Sequence, residues 1–129
     1  MTTPQGSPQH RDPRRIVLVG TCASGKSTLA ERLRMIGHDV HVCGQEHSAI
    51  ANLWQRSHPD VLVALDVDLE TVRLRRSPTW SRSLYETQRT RLAKAFSEAD
   101  LVVDTASQGP DDVARAVVRW LDAHPISSD

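Results

Sequence analysis

The run Gly20-Thr21-Cys22-Ala23-Ser24-Gly25-Lys26-Ser27 matches the spacing G-x-x-x-x-G-K-[ST] without a mismatch. Two glycines, a lysine and a serine hydroxyl so arranged suit the binding of a polyphosphate. Gly20 and Gly25 permit backbone angles that a side chain would forbid, letting successive N–H groups turn inward on an anion. Lys26 is placed to reach the β- and γ-phosphates, and the Ser27 hydroxyl is a ligand for Mg2+. A helix opening at this point adds the positive end of its dipole and unpaired N–H donors. The expected phosphate-binding set is Gly20, Thr21, Cys22, Ala23, Ser24, Gly25, Lys26, Ser27 and Thr28, and the expected ligand is a nucleoside triphosphate, foremost Mg-ATP. At Cys22 a small filler whose backbone matters is a simpler reading than a redox thiol.

A strand must deliver this loop and a helix must leave it. Ile16-Val17-Leu18-Val19 is apolar and mostly β-branched, as expected of a strand covered on both faces. After the loop, Leu29, Leu33 and Ile36 recur at helical spacing, and Gly37 is a stop. Further strands are expected at 39–43, 61–65 and 101–104. Helices are expected from Ser48 to Arg56, from an Asp68 cap through Arg76, from a Ser83/Glu86 capping box through about Ser97, and from Pro110 onward. Strands alternating with helices predict an α/β protein: a three-layer α/β/α sandwich around a short parallel sheet of about four strands, with ligands at the strands' carboxyl ends.

With 129 residues, 39% of them hydrophobic, the chain suits one domain. Residues 14–124 are expected to form it, with a disordered tail over 1–13 and a flexible end over 125–129. Lys+Arg and Asp+Glu each total 16, so no global field favours nucleic acid or a membrane surface. No apolar run is long enough to cross a bilayer, and Cys22 and Cys43 lack the close spacing of a zinc site. A reduced, cytoplasmic setting is expected. The chain has no Asn-Lys-x-Asp guanine-reading motif and no ABC signature.

Taken together, the loop, the later strands and the last helix resemble the P-loop kinases of nucleosides, nucleotides and small metabolites, the adenylate, thymidylate and shikimate kinase-like group. The resemblance covers roughly Arg14 to Leu121, and only the loop is a sharp motif. Asp60-Val61-Leu62-Val63-Ala64-Leu65-Asp66-Val67-Asp68-Leu69-Glu70, with Arg73 and Arg76, is similar to the strand and arginine-bearing helix before the lid in those kinases, and Ala99 to Thr105 to their last strand. The resemblance implies a lid around residues 75–91, where Arg75, Arg76, Arg82, Arg89 and Arg91 cluster. Arg76 and Arg82, flanking Pro78, are its preferred catalytic pair, and Trp80 between them either stacks on a base or packs the lid.

The chain departs from the family after its second strand, where only Gln45 to Pro59 fills the interval that usually binds the acceptor. The carboxylate that assists Mg2+ or takes the acceptor's proton is therefore either Glu46 or Asp66. Asp66, ending an apolar strand, is also the candidate metal partner of Ser27, whereas Glu46 is better placed to face an acceptor. The implied activity is transfer of the ATP γ-phosphoryl group to a small acceptor. The alternative is a nucleotide-binding or NTPase module that works with a protein partner.

Overall fold

The computed structural model describes residues 12–126. Most of the expected tail and the last three residues lie outside them. Four strands, β1 (Arg15–Gly20), β2 (Asp39–Val42), β3 (Val61–Asp66) and β4 (Leu101–Asp104), form one sheet in the order β2-β1-β3-β4. Every pairing is parallel, with Gly20 opposite Leu65 at the carboxyl end. The helices are α1 (Lys26–Met35), α2 (Leu69–Arg75), α3 (Arg82–Glu98) and α4 (Pro110–Ala123).

Strand periodicity explains why the central strands are apolar throughout. Ile16 and Leu18 of β1 and Val61, Val63 and Leu65 of β3 pack in one core with Leu29 and Leu33 of α1 and Val113, Val117 and Leu121 of α4. The intervening Val17, Val19, Leu62 and Ala64 face the other side, against Leu92 and Ala95 of α3 and Trp54. Alternate residues thus serve opposite layers, and a polar side chain at any of them would be buried without a partner. This is the expected three-layer α/β arrangement.

Several boundaries follow the local chemistry read from the sequence. The Asp68 carboxylate accepts from the Thr71 amide at 3.3 Å and caps α2. Pro110 opens α4, and Gly37 ends α1 with φ +99°. Among the described residues, no helix is long and apolar enough to cross a membrane.

Two segments differ from expectation. The helix expected from Ser48 to Arg56 is instead irregular backbone over Ser48 to Asn52 followed by a 3-10 turn, Leu53–Ser57, with another 3-10 turn, Gln45–His47, just before it. The reason is the fully buried Gln45 side chain, whose Oε1 accepts from the Trp54 amide at 3.0 Å while Nε2 donates to the carbonyls of Ile50 and Arg91. These bonds satisfy backbone groups that a helical ladder would otherwise pair. The second difference is the start of α3. Ser81, not Ser83, is its cap, accepting from the Leu84 amide at 3.1 Å. A turn closed by Trp80 N–H on the Ser77 carbonyl delivers the chain there two residues early, so Ser83 and Glu86 fall inside the helix. Of residues 75–91, expected as a lid, the stretch from Arg82 onward belongs to α3, and irregular backbone is confined to residues 76–81.

Candidate functional site

The Gly20–Thr28 loop leaves β1 at the carboxyl edge of the sheet and enters α1 at Lys26. Ala23 (φ +65°) and Gly25 (φ +98°) are left-handed and alternate with ordinary backbone, the pattern that turns consecutive amides to one side. The Cys22 amide is bonded to the Gln88 side chain and the Ser24 amide to the Thr21 carbonyl. Among the described residues, the amides of Ala23, Gly25, Lys26, Ser27 and Thr28 have no protein acceptor. Unpaired amides at a helix start form a site for an anion.

Gly20 is required by close approach, not by its backbone angles. A Cβ there would stand 2.5 Å from Ser24 Oγ and 2.9 Å from the Leu65 carbonyl oxygen, whereas one at Gly25 would meet nothing within 4 Å. Gly20→Ala is expected to cost about 1–3 kcal/mol through overpacking, and Gly25→Ala about 1–2 kcal/mol through its left-handed backbone alone. Only the first forces the loop off β3, so Gly20→Ala is expected to impair nucleotide binding in excess of its stability loss. Urea unfolding and ATP titration of both variants check this, and equal nucleotide affinities would refute it.

Lys26 lies across the mouth of the loop. Its ammonium donates to the carbonyls of Gly20 (2.7 Å) and Thr21 (3.0 Å) and to Glu46 Oε2 (2.8 Å). Both side chains are shielded from water, Lys26 being 10% and Glu46 5% exposed. Among the described residues, Glu46 Oε1 is buried with no partner, as are the hydroxyls of Thr21 and Ser24. A buried, half-satisfied carboxylate beside unpaired amides is costly in an idle fold and is characteristic of a functional site.

A cavity of about 710 Å³ opens over this loop, lined by residues 22–29 and also by Glu46, His47, Arg75, Arg76 and Thr105. Arg75 donates to the Ala23 and Thr105 carbonyls, and the Thr105 hydroxyl donates to the Ser24 carbonyl at 2.9 Å, so α2 and the end of β4 both clasp the loop. Arg76 lies 6.0 Å over the ring of Trp80, a residue of the turn before α3.

The residues singled out from the sequence thus divide. Lys26, Glu46, Arg76 and most of the loop share the cavity, including the exposed Ser27, which lines it. Arg82, the exposed first residue of α3, does not line it. Asp66 does not line it either, being ion-paired with Arg89. Burial alone would lower the Arg89 pKa, but the hydrogen bond to Asp66 and the Tyr85 and Asp66 charges raise it on balance. Nothing in the sequence sets Arg75 apart within the arginine cluster, and no motif marks Thr105 or Gln88 as part of the site. Gln88 is buried mid-helix on α3, 66 residues from the Cys22 it holds, and no local pattern marks such a contact.

No protein-family model matches the chain, and no curated protein matches it. Solved structures do. Shikimate kinase from Aquifex aeolicus superposes with a TM-score of 0.57 at 18% identity, over 85% of this chain and 97% of that one. A sugar kinase from a Janibacter species superposes with a TM-score of 0.60 at 16% identity, over 86% of this chain and 95% of that one. The chain has the kinase-like P-loop α/β fold of these two structures, built here on a four-stranded parallel sheet in the order β2-β1-β3-β4.

Proposed function

We propose that this protein is an ATP-dependent phosphotransferase that moves the γ-phosphoryl group to a small acceptor. The observation that carries the reading is a run of five amides, unpaired among the described residues, beside a lysine whose ammonium already reaches a buried carboxylate that lines the same cavity. The amides of Ala23, Gly25, Lys26, Ser27 and Thr28 hold the β-phosphate, and Lys26 exchanges its carbonyl partners for phosphate oxygens. Arg75 and Arg76, lining the cavity from α2 and the residue after it, supply positive charge to stabilise the transferring group. Catalysis of this class is chiefly positioning and neutralisation.

Of the two expected Mg2+ donors, Ser27 presents an exposed hydroxyl to the cavity with no protein partner among the described residues, whereas Asp66, at the carboxyl end of the neighbouring strand β3, lies outside the cavity and would have to release Arg89 to join it. Bound there, the ion would neutralise charge between the phosphates. Glu46, with one unpartnered oxygen, is assigned to the acceptor side, where it takes the hydroxyl proton. Arg82 would contribute only after residues 76–81 fold toward the loop.

One observation favours a second reading, a nucleotide-binding or NTPase module acting with a protein partner. The acceptor interval between β2 and β3 is filled only by short turns held by Gln45. ADP release measured against a panel of nucleosides, nucleotides, sugars and small hydroxy acids decides between them. The expected result is a specific acceptor that raises ADP release well above slow hydrolysis, with phosphorylated product detected in equal amount. Uniform slow hydrolysis across the panel would give the second reading the stronger claim.

A further inference from the structure

Cys22 in the loop and Glu46 and His47 in the turn after β2 bring a thiol, a carboxylate and an imidazole together, with their donor atoms all within 4.8 Å of one another. We propose that these three side chains form a binding site for a borderline-soft divalent cation of the zinc class, with the fourth coordination position open to the cavity. The site shares no donor with Ser27 and Asp66, but it takes up the Glu46 carboxylate, so a bound cation would withdraw Glu46 from its part on the acceptor side.

The donor chemistry selects the ion. Thiolate, carboxylate and imidazole together suit zinc and its neighbours in the first transition row, whereas Mg2+ takes oxygen alone. Tetrahedral zinc, with bonds of about 2.0–2.3 Å, holds its donors roughly 3.5 Å apart, so the three side chains need to close by about an ångström. His47 can supply that movement, since its side chain is 64% exposed and its Nε2 is already 3.5 Å from Glu46 Oε2. Glu46 is 5% exposed, and the oxygen that faces His47 is Oε2, which also accepts from Lys26, while Oε1 is buried without a partner among the described residues. A cation there would share Oε2 with Lys26 or shift that ammonium onto the Gly20 and Thr21 carbonyls, to which it already donates. Gln88 Nε2 donates to Cys22 Sγ at 3.3 Å, an outer contact that orients the sulfur and stabilises charge on it. On binding, the Cys22 S–H bond breaks, its proton goes to solvent, and the thiolate electron pair forms the bond to the metal. No electron is transferred.

Cobalt(II), a spectroscopic substitute for zinc, is the probe, added to the full chain under reducing conditions without nucleotide. Its outcome is therefore independent of whether the protein is a kinase. The expected result is one equivalent bound, with a near-ultraviolet thiolate-to-metal charge-transfer band that Zn2+ abolishes by displacement. Cys22→Ser should remove the band, and Cys43→Ser should keep it, because Cys43 is buried and its thiol pKa is raised by that burial. His47→Ala and Glu46→Gln should each weaken Co2+ binding by about tenfold or more, on the scale of losses at metal-site residues. On the unmodified chain, Zn2+ should protect Cys22 from iodoacetamide, read by peptide mass spectrometry. A band that survives Cys22→Ser, unchanged affinity in both His47→Ala and Glu46→Gln, or a Cys22 alkylation rate indifferent to Zn2+ would each overturn the proposal.

Discussion

Lys26→Ala is expected to bind Mg-ATP about a hundredfold more weakly than the parent, since hydrogen bonds to charged groups contribute about 1.5–3 kcal/mol each and the ammonium makes more than one. The substitution has a second consequence that must be separated from the first. Glu46 loses its ion-pair partner in a site where it is only 5% exposed, and stranding a buried charge costs about 3–5 kcal/mol. The single variant should therefore also unfold at lower urea concentration. In Lys26→Ala/Glu46→Gln the stranded carboxylate is gone, so stability should return toward the parent while ATP affinity stays low. Isothermal titration together with urea denaturation measures both quantities. If the double variant recovers nucleotide affinity as well, Lys26 serves the fold and not the phosphate.

Glu46→Gln by itself separates binding from transfer. Its amide keeps the shape and can still accept from Lys26 through oxygen, but it cannot take a proton from an acceptor hydroxyl. Phosphoryl transfer should fall by about 10²–10⁴, the usual contribution of a positioned general base. ATP affinity should hold or tighten, because an uncharged partner competes less with phosphate for the ammonium now 2.8 Å from Glu46 Oε2. Single-turnover transfer to the acceptor found by the panel, set against equilibrium ATP binding, gives the two numbers. An unchanged transfer rate would move the role to Asp66, whose pairing with Arg89 would then have to open.

The cavity explains why these effects are large. Lys26 and Glu46 come from different segments, the start of α1 and the turn after β2, and neither is free to relax into water. Low solvent access strengthens each interaction made there and equally raises the cost of leaving either group alone.

Much of this was legible along the chain because it depends on near neighbours. The apolar runs of β1 and β3, the Asp68 cap, the stop at Gly37 and the Pro110 start each involve residues a few positions apart, where sterics and single hydrogen bonds decide. The loop belongs to the same class, since glycine spacing and the lysine behind it are local features. The short 45–57 turns were not legible in this way. They depend on the side chain of Gln45 bonding to Trp54, Ile50 and Arg91, an arrangement whose stability comes from burial under α3. Nor does any local rule prefer Ser81 to Ser83 as a cap when both precede a helical stretch.

From residue types and spacing came a loop suited to an anion and the parallel sheet that presents it, and from the resemblance to the P-loop kinases a short list of acids and arginines to serve it. Folding then chose among them by distance. It brought Glu46 to Lys26, set Arg75 against the loop backbone, tied Asp66 to Arg89 and left Arg82 outside the cavity. Local order is written by steric limits and short-range bonds, but which charges meet depends on how β2, α2 and α3 pack across the sheet, and packing is a property of surfaces distant in sequence.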